Sequence, residues 1–577
     1  MKKRRAGMMR MGINHHKKRI YFFLFLLVWC AQMLTAVYFC RQKQGFHEDE
    51  FYTYYSTART NGLIIEDGAW MERENYFNEF VVLEGQGFQY GLVRQVQSWD
   101  VHPPVYYWIF HTVCSFFPGQ FSKWFGLGIN LAAFGLSLFL LRILALKVTG
   151  RNEELSFLVC FFYGFTPAVM SSVVFIRMYA LLTVFVYLCA ILHMSVVVRD
   201  REQALQTAEK NQKSADGSHA PGLPFVKFLL PLMAVTYLGF LTQYYYFIFL
   251  FFMGAAFCLY LLRRDRNLWN CVRYGGSQAF VFVLAYLTYP SWPGQMFRGQ
   301  RGAQATSNFF EISNTLSRLS FFWKLMDEYV FGNLLLPFLV LLLAAAVFMV
   351  WKRKLRVCWT GKAAWILLFF AVTGYFLAVS KTALLLGNTS VRYQTPVYGM
   401  AALLLFGAVW GAAGQFCMRR SGVAGKDRAE TSIGYERQKA VLPAVLIMLC
   451  MLPNLIALFS GRVVFLYPEA AERLSFAREK AARNTPAVCL YDAGQSWCVW
   501  DCADEFFEYE RIYFASQNDT APISDEAVAE SEALVVYLSS TAEKQEQIQR
   551  ILNSCPNLKG YELQYREKYC DVYYFHE

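Results

Sequence analysis

A histidine and three consecutive acids, His47-Glu48-Asp49-Glu50, follow shortly after an apolar stretch at 20–40 and lead into the aromatic sequence FYTYYS. The apolar and aromatic residues of that sequence have helical spacing, so a surface helix would hold the carboxylates at the rim of a membrane. A carboxylate that is partly withdrawn from water can accept a proton from an attacking hydroxyl group. Neighbouring side chains point in different directions on a helix, so only one of Asp49 and Glu50 can be that base. The alternative is that the charges only keep the segment solvated.

A second carboxylate and a second imidazole follow in the sequence DVHPP, as Asp100 and His102. They could return to the same rim, although a Pro-Pro pair capped by an aspartate is also a common way to begin a helix. With these groups nearby, His47 and Asp49 could hold a divalent metal ion. Their spacing matches no diagnostic metal motif.

Arginines beside apolar stretches are candidates for binding an anion, because a guanidinium contacts phosphate oxygens well at the level of the lipid headgroups. An arginine at such a position can also simply extend its charge into the water. The sequence TQYYY at 242–246 is typical of the aromatic belt at a membrane surface, or of a binding site. The candidates for substrate binding are His102, Arg177, Tyr179, Gln243, Tyr244, Arg298, Arg301, Arg392 and Tyr393.

The elements that must position these residues are membrane helices. Of the 577 residues, 56% are hydrophobic, 18% are aromatic and only 17% are charged, which is unlike a soluble protein. Apolar stretches of about 18–21 residues recur along the chain, each near the length that crosses a bilayer. The sequence therefore predicts a polytopic α-helical membrane protein. No small-residue cleavage site follows the first stretch, which is expected to be a retained anchor.

The net charge of +12 does not indicate nucleic-acid binding, because the charge is distributed unevenly. The residues from 461 to the end contain 11 basic and 20 acidic side chains, so the positive excess lies between the apolar stretches, as in cytoplasmic loops. The basic N-terminus is then cytoplasmic and residues 41–123 form a first outer loop. All five later basic loops fall inside if the short aromatic segment 102–119 lies in the interface. We therefore predict about eleven spans, at 20–40, 124–147, 155–176, 178–198, 223–241, 244–262, 275–290, 331–351, 363–380, 396–416 and 442–460.

The chain is predicted to have three regions: a cytoplasmic N-terminus at 1–19, a transmembrane domain at 20–460 and an extracytoplasmic α/β domain at 461–577. Three predicted strands, AVCLYD, RIYFA and ALVVYLS, and one amphipathic helix, EKQEQIQRILNS, support the last assignment. The last region contains five of the fifteen cysteines. Outside the cytoplasm they are expected to form one or two disulfides.

These motifs resemble a bacterial glycosyltransferase of the GT-C class, close to the protein-O-mannosyltransferase-like group, glycosyltransferase family 39. The Asp-Glu pair of that family matches Asp49-Glu50, and its D-x-H-P-P-L-Y-Y stretch matches DVHPPVYY at 100–107. Its R-x-Y-x-L turn matches RMYAL at 177–181.

A late R-Y pair before a proline-started span matches Arg392-Tyr393, and the resemblance covers residues 20–460. The chain departs from the family at 242–244, where TQY replaces the T-H-Y of many members, so a role for a histidine is lost there. Residues 461–577 match no pattern of the family.

The resemblance implies a GT-C-like fold in the cell membrane, with the site on the extracytoplasmic face. It also implies inverting transfer of a hexose, mannosyltransferase-like, from a polyprenyl-phosphate donor to an acceptor hydroxyl. Asp49 would be the base, with Glu50 and Asp100 orienting the acceptor or a metal. Arg392, or alternatively Arg177, would hold the donor phosphate. A protein, a glycolipid or a cell-wall polymer could be the acceptor, and no cofactor other than a divalent metal ion is implied.

The sequence is also compatible with two other functions: a transporter or flippase of lipid-linked saccharides, and a non-catalytic assembly protein of the cell envelope. A transporter usually keeps ionisable residues near the bilayer midplane and shows related halves. The predicted spans are almost free of charge and contain no internal repeat, which disfavours transport. The sequence does not distinguish an enzyme from an assembly protein.

Overall fold

Long apolar segments form the helices that make up most of the chain. The computed structural model describes residues 2–58, 63–209, 222–351, 362–420 and 431–577. In this part of the chain, six helices are long and apolar enough to cross a membrane, or up to eight if two bent pairs each count as one span. The chain is therefore a polytopic α-helical membrane protein. Length and composition support fewer spans than the roughly eleven predicted.

Short elements follow the first span, and the length of one of them supports the prediction that segment 102–119 lies in the interface. Its helix, α5, has 11 residues. At 1.5 Å per residue it is about 16 Å long, roughly half the hydrocarbon thickness of a bilayer. The first elements are α1 (Lys2–Gln42), α2 (Glu48–Ala58), β1 (Ala69–Glu72), α3 (Arg73–Phe77), a 3-10 turn (Asn78–Phe80), α4 (Tyr90–Trp99) and α5 (Val105–Ser115).

The remaining membrane region consists of helices α6 to α19. Each predicted span overlaps a helix or a bent pair of helices, but α10, α12 and α19 are not among the candidate spans. The segment 291–330, which lies between two predicted spans, contains three helices. The elements are α6 (Lys123–Val148), α7 (Glu153–Tyr163), α8 (Pro167–Val174), α9 (Tyr179–Glu209), a π-helical turn (Phe225–Leu229), α10 (Leu230–Phe240), α11 (Tyr245–Asp265), α12 (Trp269–Thr288), α13 (Trp292–Phe297), α14 (Gln300–Phe310), α15 (Thr315–Val330), α16 (Leu335–Trp351), α17 (Ala363–Thr382), a 3-10 turn (Gly387–Tyr393), α18 (Thr395–Arg420) and α19 (Thr431–Phe459).

The bend between α7 and α8 has an identifiable cause. The two helices meet at 59°, and Pro167 begins the second. Carbonyl groups left without helical partners at such a break need other donors. The Gln32 side chain in α1 donates from Nε2 to the carbonyl oxygens of Cys160 and Phe161, at 2.9 and 3.1 Å. The break is thus held by the first span.

Polar contacts gather the predicted loops into two groups at opposite ends of the helices. At one end, Lys43 Nζ donates to Phe465 O at 2.8 Å and thereby joins the first outer loop to the start of the C-terminal region. At the other end, Arg142 pairs with Glu153 at 2.6 Å. Arg264 pairs with Asp200 there, also at 2.6 Å. This grouping agrees with the sides that the basic loops predict.

A small sheet lies near the C-terminus, as predicted. It has six strands in the order β1-β3-β2-β4-β6-β5, in which β2 is parallel to β3 and β4 and the other pairs are antiparallel. The edge strand β1 comes from the first outer loop, so that loop and residues 461–577 share one sheet. The other elements are α20 (Ala470–Ala482), β2 (Ala487–Tyr491), α21 (Trp497–Asp501), α22 (Ala503–Phe506), β3 (Arg511–Ser516), α23 (Glu526–Ala529), β4 (Ala533–Ser539), α24 (Lys544–Ser554), β5 (Gly560–Arg566) and β6 (Cys570–His576).

The two faces of the sheet pack against different partners, because successive side chains of a strand alternate between faces. Val488 and Leu490 share a buried cluster with Ile548 and Ile551 of α24. Cys489, between them, belongs to the large cluster that continues into the membrane helices. The expected disulfides are not formed, since all five cysteines of this region are free thiols in the structure.

Aromatic contacts fix α2 to the C-terminal region. The ring centroid of Trp500 lies 4.7 Å from that of Tyr52 and 4.9 Å from that of Tyr55. Glu48, the first residue of α2, accepts a hydrogen bond from Lys568 Nζ at 2.6 Å. The helix that carries the acidic cluster is therefore held in place by the C-terminal region.

The orientation of the chain can be tested by labelling single cysteines with a membrane-impermeant thiol reagent in intact cells. Glu84 and Glu311 are exposed in predicted outer segments, and Glu202 is exposed in a predicted inner one. We expect Glu84→Cys and Glu311→Cys to label from outside and Glu202→Cys to label only after lysis. The unsubstituted chain gives the background from native thiols. External labelling of Glu202→Cys would contradict the orientation.

Candidate active site

The first turn of α2 brings its carboxylates to a point where three segments of the chain meet. Helix N-termini favour negative side chains, and α2 begins with Glu48, Asp49 and Glu50. Asp49 Oδ2 lies 3.1 Å from Arg392 Nη2, and Asp49 Oδ1 lies 3.9 Å from Arg177 Nη2. Residues far apart in the sequence, which the loop assignment expected on one side, thus form one cluster.

Arg177 is fixed at the turn between α8 and α9. Its Nη1 donates to Asp49 O at 3.1 Å, to Thr53 Oγ1 at 3.2 Å and to Tyr107 Oη at 2.9 Å. The side chain is only 4% exposed. A buried guanidinium with several acceptors is rigidly held, so Arg177 does not simply extend its charge into water.

Arg392 lies in the 3-10 turn before α18, inside a wall of four aromatic rings. Its guanidinium carbon is 4.8 Å from the ring centroid of Phe175, 5.1 Å from that of Tyr393, and 5.9 Å from those of Tyr179 and Phe465. The rings attract the cation electrostatically and exclude water from it. Phe175 and Phe465 are apolar residues that belong to no motif, so the sequence did not predict that they surround Arg392.

Several N–H groups of the two arginines have no hydrogen-bond partner among the described residues. They are Nε and Nη1 of Arg392 and Nε of Arg177, all buried. Buried donors are almost always hydrogen-bonded in folded proteins. An arrangement of two guanidiniums around one carboxylate, with donors left over, is suited to binding a further anion.

The same guanidiniums set the protonation state of Asp49. Burial acts to raise the pKa of Asp49, but the positive charges of Arg177 and Arg392 outweigh it and hold that pKa well below its usual range. For His47, burial is the larger effect and lowers the pKa to about 4. At neutral pH the cluster therefore contains an ionised Asp49 beside a neutral imidazole.

Glu50 faces away from Asp49, into a buried ion pair with Lys43. The two side chains are 0% exposed and their charged atoms are 2.8 Å apart. Glu50 also accepts from the backbone N–H groups of His47, at 2.7 Å, and of Ile176, at 2.6 Å. His47 lies two residues before Asp49, and Ile176 lies directly before Arg177. The Lys43–Glu50 pair therefore fixes the backbone near Asp49 and near Arg177. The sequence did not predict this role for Lys43, because a lysine just after a membrane span is common.

Asp100 and His102 lie next to this cluster, on the segment that leads into α5. Burial raises the pKa of Asp100, whose Oδ2 is buried and has no partner among the described residues. Burial, with the charge of Arg177, lowers the pKa of His102. The side-chain amide of Gln295 donates to Asp100 O at 2.5 Å and holds this segment in place.

The other candidate residues surround this core. Tyr179 stands edge-on to Tyr393 at 5.7 Å between ring centroids. Tyr244 Oη donates to Gln295 Oε1 at 2.6 Å, so it supports the Asp100 segment. The remaining three are Gln243, buried between α10 and α11, Arg298, exposed after α13, and Arg301, which is exposed yet close enough to affect the pKa of Asp100.

The predicted metal site at His47 and Asp49 has no third ligand in the described part of the chain. No group of three or more histidine, cysteine, aspartate or glutamate side chains is arranged there to hold a metal ion. His47 Nδ1 accepts from the backbone N–H of Asp49 at 3.0 Å, which occupies the lone pair of that nitrogen. The metal site stays a prediction.

Comparison with known proteins gives no match by sequence and a distant likeness by structure. No protein-family model matches the chain. No curated protein matches it either. Among solved structures, the chain is similar to ArnT from Cupriavidus metallidurans bound to undecaprenyl phosphate, with 11% identity over 96% of this chain and 97% of that one and a TM-score of 0.49. It is also similar to the oligosaccharyltransferase of Archaeoglobus fulgidus in the apo form, with 12% identity over 89% and 69% of the two chains and a TM-score of 0.43.

Both of these proteins are glycosyltransferases of the GT-C class. The identities and TM-scores are too low to transfer a substrate or a residue to this chain. Membership of glycosyltransferase family 39 stays a prediction.

Removing one partner of the Lys43–Glu50 pair should destabilise the protein strongly. Glu50→Gln leaves the Lys43 charge buried without its counter-ion, a change that typically costs about 3–5 kcal/mol. We expect a large fall in the thermal midpoint of the purified protein for Glu50→Gln, and partial recovery when Lys43→Met is added. Lys568→Met is the matched control, because Lys568 is 50% exposed in its pair with Glu48 and should matter little. Equal, small effects of Glu50→Gln and Lys568→Met would contradict the role of the buried pair.

Proposed function

We propose that this chain is an inverting membrane glycosyltransferase that moves a sugar from a polyprenyl-phosphate donor to an acceptor hydroxyl group on the extracytoplasmic face. The observation that carries the proposal is the contact of Asp49 with Arg392, at 3.1 Å, beside the buried Arg177. Transfer from a sugar phosphate needs cations for the leaving phosphate and a base for the acceptor. These three side chains supply both within one cluster.

The donor phosphate would bind at the guanidinium of Arg392. Asp49 is 28% exposed, whereas Arg392 is 3% exposed, so an incoming anion reaches the arginine from the side of the carboxylate. A phosphate oxygen can then take over the contact that Asp49 makes, and unused N–H groups of the arginine are available to it. Arg177 contributes a second positive charge next to the same position.

Binding of the donor would also prepare the base. While both guanidiniums face Asp49, its pKa is held low and it attracts protons weakly. Efficient general bases have a pKa nearer the working pH. A phosphate that neutralises the guanidiniums lets the pKa of Asp49 rise, because the charges that lowered it are compensated. The carboxylate would therefore become a better base only when the donor is in place.

In the transfer step, the acceptor oxygen attacks the anomeric carbon from the face opposite the phosphate. The bond from that carbon to the phosphate oxygen breaks, its electron pair stays on the phosphate, and Asp49 takes the acceptor proton. The sugar inverts, and the lipid phosphate leaves stabilised by the two guanidiniums. Asp100, whose pKa is raised by burial, would hydrogen-bond the acceptor and orient it. Glu50, which the sequence placed among the catalytic residues, would act by positioning through its pair with Lys43.

Replacement of Asp49 tests the base directly. Asp49→Asn keeps the shape of the side chain and removes the proton acceptor, which should lower transfer by about 10²–10⁴-fold. The assay incubates purified protein in vesicles with a radiolabelled polyprenyl-phosphate sugar and identifies the labelled product by mass. Glu48→Gln is the matched control, because Glu48 is next to Asp49 in the sequence but accepts a hydrogen bond from Lys568 and does not pair with the arginines.

Full turnover by Asp49→Asn, with normal membrane insertion, would refute the role of Asp49. Appearance of intact labelled donor on the other side of the vesicle, without transfer, would instead identify a flippase.

A further inference from the structure

Two buried cations lie at the end of α17 that is predicted to face outward. Arg318, in the first turn of α15, is 6% exposed, and Lys381, in the last turn of α17, is 8% exposed. Gln394, two residues after Arg392, donates from Nε2 to Ser380 Oγ at 3.1 Å, directly before Lys381. The two cations therefore lie near the 3-10 turn that carries Arg392.

Arg318 closes the end of α17. Its Nε donates to Ser380 O at 3.0 Å, and its Nη2 donates to Ala383 O. The last carbonyl groups of a helix have no partner within the helix, so an arginine there fixes both the helix end and its own guanidinium. Its Nη1 donates to no group of the described residues, which leaves this side of the guanidinium available to a ligand.

Lys381 joins the same helix end to the segment between α14 and α15. Its Nζ donates to Glu311 O at 2.5 Å and to Thr315 Oγ1 at 2.9 Å. It also donates to Asn314 Oδ1. These three oxygen atoms satisfy the three donors of the ammonium group, but none of them carries a formal charge.

The two positive charges have no counter-ion among the residues that the structure describes. Neither side chain forms an ion pair with a carboxylate there. The carboxylate of Glu311 does not compensate them directly, because it accepts from Ser313 Oγ at 2.6 Å and from Asn314 Nδ2 at 3.4 Å. The carbonyl groups at a helix C-terminus favour a cation but supply only about half an elementary charge. Buried charges are usually paired, so this position favours an anionic ligand.

Large apolar side chains are exposed on both sides of these cations in the sequence. Ile312 and Leu316, shortly before Arg318, are 88% and 80% exposed. The full set is Phe309, Phe310, Ile312, Leu316, Leu385 and Leu386. Exposed apolar patches mark surfaces that contact a membrane or another protein. Apolar surface beside cations that lack a counter-ion matches a phospholipid, whose acyl chains and phosphate meet these two features together.

We propose that the adjoining ends of α15 and α17 form a binding site for an anionic phospholipid. The phosphate of the lipid lies at Nη1 of Arg318, and its acyl chains cover the exposed apolar residues of 309–316 and 385–386. The bound lipid compensates the two cations and fixes the segment between α14 and α15 against α17. The inference goes beyond the proposed function and does not depend on it, because no reacting group takes part.

Native mass spectrometry of the purified full chain in detergent tests this site. The probes are phosphatidylglycerol, which is anionic, and phosphatidylcholine with the same acyl chains, which is zwitterionic. We expect phosphatidylglycerol to bind several-fold more tightly than phosphatidylcholine, because only its phosphate is not already neutralised within the lipid. Arg318→Gln should remove this preference.

A second pair of variants leaves the hydrogen bonds of Arg318 in place. Leu385 follows Ala383 by two residues, about 7 Å along an extended chain, so Leu385→Glu brings a carboxylate within reach of the guanidinium. This internal counter-ion should weaken the binding of phosphatidylglycerol several-fold. Leu385→Gln is the matched control, because it removes the same apolar side chain without adding a charge, and it should keep the preference.

Equal binding of the two lipids by the unsubstituted chain would overturn the proposal, and so would equal binding of phosphatidylglycerol by Leu385→Glu and Leu385→Gln. Weaker binding of a sugar-free polyprenyl phosphate by Leu385→Glu than by Leu385→Gln would assign the position to the donor and overturn the choice of a phospholipid. None of these outcomes depends on transfer, so the proposed function and this inference can fail separately.

Discussion

A single carboxylate, that of Asp49, lies between two buried guanidiniums, and this contact determines how the rest of the structure can be understood. Two positive charges face one negative charge, at 3.1 and 3.9 Å. The excess positive charge is kept out of water and has hydrogen-bond donors without partners in the described part of the chain. Buried donors of this kind are usually hydrogen-bonded, and this supports the proposal that an anionic ligand binds at Arg392. In the proposed function, the carboxylate of Asp49 is both the resting counter-ion and the group that the donor phosphate displaces.

Two other parts of the structure hold Asp49 and the arginines in place. From the membrane side, the Lys43–Glu50 pair hydrogen-bonds the backbone next to Asp49 and next to Arg177, so neither can shift without breaking a buried ion pair. From another side, the C-terminal region packs against the same helix through Trp500. The first outer loop in turn contributes strand β1 to the sheet, where it pairs with β3. The C-terminal region therefore supports the site. The domain boundary at residue 461 stays a prediction.

Much of this arrangement follows from simple rules applied to the sequence. The basic residues predict which loops are cytoplasmic, and this prediction places Asp49, Arg177 and Arg392 together on the other side of the membrane. The helical membrane region and the terminal sheet were predicted from apolar length and from strand patterning. The prediction that segment 102–119 lies in the interface rested on the charge of the later loops and on the shortness of the segment, and the 11-residue length of α5 is consistent with it.

Other features could not be predicted, for physical reasons. Phe175 and Phe465 look like ordinary apolar residues, and only the fold places them around a cation. Strand β1 has four residues, too few for a pattern, and pairs with a partner far along the chain. The segment 291–330 has the composition of a loop, but tertiary contacts order it into helices, as when Tyr244 holds Gln295.

The central claim, that the donor phosphate competes with Asp49 for Arg392, is tested most directly by the affinity of the protein for a polyprenyl phosphate that carries no sugar. If Asp49 is the resting counter-ion, Asp49→Asn removes the competitor, and the lipid phosphate should bind about tenfold more tightly, a gain of ~1.4 kcal/mol. The gain should vanish when Arg392→Met is added. Unchanged or weaker binding by Asp49→Asn would contradict the account, because the carboxylate and the phosphate would then not share the arginine.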